Sequence, residues 1–330
     1  MADMDVIGFQ RQLLDRRERL EAVRSADPVL ADIGRLLDEV DAALARIGEG
    51  TFGLCEQCHG PVEPERLAAD PLVRHCLGHL SAEEQREMER DLDLAFQVQS
   101  ALLPTRGLRA AGWEAHYHYE PAGSLSGDYC DVLGPDAGRD GLLFLAGDVS
   151  GKGIASSLLM SHLHAIFRSL SRLDMPIIQI VEHANRVFCE STMPALYATL
   201  ACGVASPSGD VRLCNAGHCP PVLVSGGAAM TLDATGIPLG LFASSRYSSH
   251  NFKMQAGDTL LLYTDGLTEA HNPSGADYGP ERLVNLLTRN HAMDLAGLEK
   301  RILSDWNEFR EGERRSDDVT LLLLRRSVIN

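Results

Sequence analysis

At 330 residues, with 45% hydrophobic and 23% charged side chains, the chain has an ordinary globular composition and can bury one large core or two smaller ones. Its formal net charge of −16 argues against a broad nucleic-acid groove, because tracking phosphates needs a basic face. No run reaches about 18 apolar residues, and the opening MADMDVIGFQRQ lacks a signal pattern. No membrane partner and a cytoplasmic location are therefore expected, with the eight cysteines held as thiols or metal ligands.

Val6, Phe9, Leu13, Leu20 and Val23 recur at spacings of three and four and predict a helix over 6–24, with Arg16 interrupting the seam. Ser25-Ala26-Asp27-Pro28 breaks it; Asp27 suits an N-cap and Pro28 a first helical position. Leu30, Ile33, Leu37, Val40, Leu44 and Ile47 then follow a 3-4-3-4-3 pattern, a heptad seam. Residues 1–49 are expected to form a helical hairpin.

Cys55-Glu56-Gln57-Cys58 and Cys76-Leu77-Gly78-His79 are two ligand pairs, each spaced by two residues. Three thiolates and an imidazole suit one tetrahedral Zn²⁺, and four protein ligands leave no open position for catalysis. His59 and His75 lie close enough in sequence to replace His79. The finger is expected to span 50–81. Ser81-Ala82-Glu83-Glu84 then opens a helix over 82–103, ended by Pro104. Its stripe of Met88, Leu92, Ala95, Gln99 and Leu102 either packs on its own domain or pairs with a second copy. With no Gly/Ser linker before the next domain, this helix can transmit a rotation, and a homodimer through the N-terminal half is expected.

The remainder, 104–330, carries aspartates at strand ends. Leu142 to Gly153, LLFLAGDVSGKG, is a buried strand ending at Asp148 in a glycine-rich turn. Trp113 to Tyr119 alternates as a half-buried strand, and Ser126 to Val132 begins another. In a hairpin closed by the turn at 134–141, Asp128 and Asp148 share one end of the sheet. The strand DTLLLYTD ends at Asp265, and SDDVTLLLLR starts with Asp317 and Asp318. If these also pair antiparallel, Asp265 and Asp317 share an edge. Four or five clustered carboxylates repel one another unless cations neutralise them. Oxygen-only ligands favour two Mg²⁺ or Mn²⁺ ions over zinc. Helices are expected over 154–170 and 177–192, and strands over 196–205, 211–214 and 221–224. Asn215 to Pro221 reads as a rigid turn in which His218 is more structural than catalytic. Cys130, Cys189, Cys202, Cys214 and Cys219 read as packing residues.

The stretch LLDEVDAALARIGEGTFGLCEQCHGPVEPERLAADPLVRHC resembles the DksA/TraR zinc-finger family, with His79 where that family has a fourth cysteine. Some members insert a long coiled-coil arm into RNA polymerase. Here the arm is about 20 residues, roughly 30 Å at the helical rise, and its tip offers only Asp27.

From Leu92 to Arg326, the motifs QSALLP, SGDYCDV, AGDVSGKGIAS, YATL, NAGHCPP, GIPLGLF, GDTLLLYTDGLTEA and SDDVTLLLLR resemble the SpoIIE/RsbU branch of the type 2C metal-dependent protein phosphatases. The resemblance implies an α+β fold overall: two antiparallel sheets face to face with helices outside, preceded by the hairpin and finger. It implies metal positions at Asp128, Asp148, Asp265 and Asp317, with the carbonyl of Val149 a further ligand and Asp318 an alternative to Asp317. It implies two-metal hydrolysis by an activated water on phosphoserine or phosphothreonine of a STAS-domain anti-sigma antagonist. The arginine with which other type 2C enzymes bind phosphate is not evident from a motif. Two other classes compete. A P-loop at Gly147–Gly153 fails on spacing and on Gly153 replacing the hydroxyl residue. A non-catalytic DksA/TraR-type transcription regulator leaves the acidic strand ends without a purpose.

Overall fold

The computed structural model describes residues 6–26, 31–80, 82–135, 140–173, 175–193, 196–313 and 315–327. The Asp27-Pro28 break, Leu30 of the seam and the middle of the 134–141 turn lie outside them. The chain separates into two units, Met1–Asp91 and Leu92–Asn330.

The first unit is built on α1 (Val6–Ala26) and α2 (Ala31–Glu49). The seam is used within the chain: Ile33, Leu37, Val40 and Ala43 are buried, and Val40 and Ala43 share a core with Leu13 of α1 and with Phe52, Val62 and Leu67 of the finger. Helix α3 (Pro64–Ala69) follows, then a 3₁₀ turn at Leu77–His79 and the first turns of α4 (Ala82–Leu102). Arg46 ties α2 to the finger by donating to the carbonyls of Val73 and Leu72 at 3.1 and 3.3 Å.

The second unit is a sandwich. One sheet has the order β1 (Leu108–Ala110), β2 (Trp113–Glu120), β11 (Val319–Arg326), β10 (Thr259–Tyr263), β7 (Val222–Ser225), β8 (Ala228–Thr231). The other has β3 (Asp128–Leu133), β4 (Leu142–Val149), β5 (Ala198–Ala205), β6 (Asp210–Ala216), β9 (His250–Lys253). Every pairing between these strands is antiparallel. Helices α5 (Ile154–Leu170) and α6 (Ile177–Ser191) cover the second sheet, and α8 (Pro280–Arg289) and α9 (Leu295–Arg310) cover the first, with the short α7 (Asp265–Thr268) before them. Both faces of each central strand are thus buried, which is why these strands read as continuous apolar runs rather than alternating ones. The period of two still sorts the residues. Val132, Phe144, Ala146, Leu262, Leu322 and Leu324 fill the space between the sheets, while Leu143, Leu145, Leu321 and Leu323 meet the helices.

The expected fold class is found, with shifts at the ends. Asp265 lies just past β10, as the first residue of α7, and Asp317 and Asp318 lie in the approach to β11. Asn215 and Ala216 belong to β6 rather than to the turn.

Asp131 of β3 has no solvent exposure and takes both nitrogens of the Arg168 fork of α5, at 2.7 and 2.8 Å. This bidentate pair pins α5 to the sheet. Arg168→Ala would leave a carboxylate buried without its partner, and should cost about 3 kcal/mol of stability. Urea unfolding of the full chain measures it, and a loss near zero would show the pair to be dispensable.

Candidate active site and zinc knuckle

The register of the β3–β4 hairpin sets Asp128 directly opposite Asp148. Both share the parity of Val132, Phe144 and Ala146, so they face the gap between the sheets. Across that gap, Thr264 at the end of β10 donates from Oγ1 to Asp128 Oδ2 at 2.9 Å. Thr264 is itself fixed by β11: its amide donates to the Thr320 carbonyl at 3.0 Å, and the Thr320 amide donates to its Oγ1 at 2.9 Å. The two sheets are therefore stitched at the edge where the aspartates gather.

Asp265 follows Thr264. Gly266 then permits a close approach, since a Cβ there would stand 2.0 Å from the Asp318 carbonyl oxygen. This brings the start of α7 against the Asp317-Asp318 segment. The two neighbouring carboxylates have different surroundings. Asp318 accepts from the amides of Ala122 at 2.7 Å and Gly127 at 2.9 Å, so both its oxygens are committed to the loop before β3. Asp317 accepts from the Asp318 amide at 2.9 Å, and its other oxygen lies 2.8 Å from Lys152 Nζ.

The electrostatics follow from this crowding. Burial, then Asp265, Asp317 and Asp318, push the Asp148 carboxyl up to about 7. Burial and Asp148 push Asp128 well above the usual carboxylate range, and burial and Asp317 raise Asp265. The donor set fits divalent cations: carboxylates that resist sharing their charge, with no sulfur or imidazole among them. Gly127 adds to the fit, because a Cβ there would stand 3.0 Å from the Val149 carbonyl oxygen, and glycine leaves that oxygen open. A cleft of about 430 Å³, bordered by Leu125, Lys152, Arg315, Asp317 and Asp318, opens beside the aspartates. A larger cleft, about 950 Å³, lies at the opposite end of β3 around Val132, Leu133 and Arg168, away from this chemistry.

His218 is buried at the turn that follows β6. It is 5% exposed, its amide donates to Asn215 Oδ1 at 2.8 Å, and its Nδ1 lies 2.9 Å from Thr199 Oγ1. Burial pushes its imidazole down to about 4. Thr264 and Lys152 are the participants that motif spacing did not single out. Lys152 stood in plain view within GDVSGKG, but nothing in that string says which carboxylate it reaches.

In the first unit, the ligand atoms of Cys55, Cys58, Cys76 and His79 all lie within 4.8 Å of one another. This is the one such tight group of three or more among the described residues; the aspartates are spread more widely. Two turns shape it. Cys55 donates its amide to the Gly60 carbonyl at 2.8 Å, and His79 donates its amide to the Cys76 carbonyl at 2.8 Å. The Arg74 fork on Glu56, at 2.6 and 2.7 Å, joins the two turns. Burial opposes a Cys55 thiolate, yet donors from the Cys76, Cys58 and Gln57 backbones outweigh it and bring this thiol down to about 6. Burial and Cys55 raise the Cys76 thiol. Three thiols and one imidazole facing a common point fit a tetrahedral ion. His59 and His75 stand outside the group.

The second unit is thus two facing antiparallel sheets with outer helices and an acidic edge. The model for "Stage II sporulation protein E (SpoIIE)" matches residues 138–327, more than half of the chain, and the chain belongs to the SpoIIE family. The model for "Prokaryotic dksA/traR C4-type zinc finger" matches residues 50–78, so the chain also carries that module. Among relatives, Protein IcfG of Synechocystis is 28% identical over 72% of this chain and 42% of its own length. The phosphoserine phosphatase RsbU of Bacillus subtilis is 25% identical over 74% of this chain and 72% of its own length. The match thus spans less than half of IcfG. The crystal structure of the RsbU and RsbW domains of a Mycobacterium tuberculosis protein superposes with a TM-score of 0.57 at 26% identity, covering 69% of this chain and 62% of that one.

Proposed function

We propose that this chain is a metal-dependent protein serine/threonine phosphatase. The observation that carries the reading is the convergence of Asp128, Asp148, Asp265 and Asp317 at one edge of the sandwich, crowded enough to hold Asp148 at about 7. Asp128, Asp148, Asp265 and Asp317, with the Val149 carbonyl, would hold two Mg²⁺ or Mn²⁺ ions. When bound, such ions supply an activated water and neutralise phosphoryl oxygens. The chain's own residues orient that arrangement. Thr264 holds Asp128, and the backbone of β10 and β11 sets the spacing of Asp265 and Asp317. Asp318 anchors the 122–127 loop rather than a cation.

Hydrolysis of para-nitrophenyl phosphate and of a phosphoserine peptide, with Mn²⁺ or Mg²⁺ against chelator, tests the reading. No cation-dependent turnover on either substrate would refute it. The division of labour at the acidic pair has its own test. Asp318→Asn keeps one of two amide bonds and should lower kcat by roughly tenfold through loop misplacement, whereas Asp317→Asn should nearly abolish it. Equal losses in kcat would overturn the assignment.

The natural substrate in this reading is a phosphorylated STAS-domain anti-sigma antagonist, supported by likeness to a phosphoserine phosphatase and to a structure that pairs an RsbU domain with an RsbW domain. Cys55, Cys58, Cys76 and His79 hold one structural Zn²⁺. No helix among the described residues is long and apolar enough to cross a membrane, and the composition suits a cytoplasmic protein. The heptad seam packs within the chain and Gln99 of the α4 stripe is buried and bonded to Ser126, so a homodimer through the N-terminal half is left with the exposed Leu94 and Val98, at 59% and 57% and off that stripe; light scattering at micromolar concentration decides it.

A further inference from the structure

A phosphomonoester reaches the site as an anion, and it must be received beside a group of carboxylates. Two divalent cations cancel the charge of four aspartates but leave that of Asp318, so a further positive group would strengthen the hold on the phosphoryl oxygens. The chain is strongly acidic, and among the described residues two cationic side chains border the cleft beside Asp317, Lys152 and Arg315. Arg315 is the less exposed of the two, at 28%, and lies 2.7 Å from the Glu120 carboxylate in an ion pair without hydrogen-bond geometry.

Lys152 is placed differently. Its ammonium lies 2.8 Å from Asp317 Oδ2 and donates to the Ser316 carbonyl at 2.6 Å, while its side chain is 65% exposed. Its neighbours Gly151 and Gly153 have φ of 96° and 77°, with open space around both. These two polar contacts hold the ammonium, while most of the side chain stays open to solvent. The carboxylate it pairs with, Asp317, is also one of the four assigned above to the cations. Once a divalent ion takes up the charge of Asp317, the ammonium loses that partner and is repelled by the newcomer. A long, flexible cation is then free at the mouth of the cleft where a phosphoryl group enters.

We propose that Lys152 is the phosphate-binding cation of this site, its exposed ammonium beside Asp317 placed to meet the phosphoryl oxygens of the substrate when cations occupy the aspartates. This rests on the phosphatase reading above. It supplies the positive group that no arginine motif provides.

The test uses the full chain, with Lys152→Met and Lys152→Arg, and inorganic phosphate as the probe. Calorimetry measures phosphate binding to the Mn²⁺-loaded protein and, separately, Mn²⁺ binding to the metal-free protein. In Lys152→Met, phosphate affinity should fall about tenfold or more, and KM for para-nitrophenyl phosphate should rise by a similar factor. Lys152→Arg should recover most of both. Mn²⁺ should bind Lys152→Met at least as tightly as wild type, because a competing cation has been removed. Phosphate affinity within about twofold of wild type would overturn the inference. So would a large loss of Mn²⁺ affinity, which would make Lys152 a prop for Asp317. An inert wild-type chain would overturn the phosphatase reading and this inference with it, whereas an active wild type with an unchanged Lys152→Met overturns the inference alone.

Discussion

Asp148→Asn will reduce phosphatase turnover by about a thousandfold or more, on the order of 4 kcal/mol of transition-state stabilisation, and will leave the fold intact. The loss follows from removing one carboxylate that faces both Asp128 and the Asp265–Asp317 side. The retained fold follows from the same crowding. The sign is set by the raised carboxyl, pushed up to about 7 from an ordinary value near 3.9. Without metal, between about pH 4 and 7, the folded protein keeps a proton that the unfolded chain releases, so this group makes stability fall as pH rises through that window. Asparagine has no proton to lose. In chelator, the variant should therefore melt at the same temperature as wild type near pH 4 and above it at pH 7. Melting curves at the two pH values, beside turnover with Mn²⁺, check both halves. Substantial turnover in Asp148→Asn and in Asp265→Asn would sink the two-metal site.

Cys58→Ser will strip zinc from the first unit and unfold it. That unit has a small core of Leu13, Val40, Ala43, Phe52, Val62 and Leu67, and cores of that size seldom hold a fold without a staple. Apparent binding of a structural zinc is worth on the order of 10 kcal/mol, comparable to the whole stability of an ordinary domain. Wild-type full-length protein purified under reducing conditions should carry one zinc per chain, and the variant none. The variant should also lose protection from proteases within residues 6–80. A wild-type chain free of zinc yet resistant to proteolysis would refute the knuckle as a metal site.

Much of this was legible in the residues because the information is local. Asp128 and Asp148 belong to one hairpin, so alternation and a turn were enough to put them at the same end. The helices Ile154–Leu170 and Ile177–Ser191 fell within a residue of expectation, since their apolar spacing is long and regular. The knuckle was readable from two ligand pairs. What stayed hidden depends on contacts distant in sequence. Thr264 reaches Asp128 across the sandwich, and no pattern near either residue announces it. Lys152 takes its meaning from Asp317, far along the chain. The insertion of β11 between β2 and β10 needs pairings that local propensity cannot encode. Helices Pro280–Arg289 and Leu295–Arg310 were not assigned from sequence, although Leu283, Leu286 and Leu287 of the first carry its buried face.

The position of β11 bears on how the protein comes into being on the ribosome. The last strand in the described chain is an inner strand of its sheet, hydrogen-bonded to β2 on one side and β10 on the other. The segment that leads into it carries Asp317 and Asp318. A nascent chain lacking this strand has neither a closed first sheet nor a complete acidic edge, whatever the state of the β3–β4 hairpin already made. Pairing β2 with a strand some two hundred residues later is slow to form, because the loop entropy is lost before the contact is gained. In the phosphatase reading, truncated or interrupted translation products that lack β11 would be silent, and hydrolysis would start only from chains whose synthesis has run through β11.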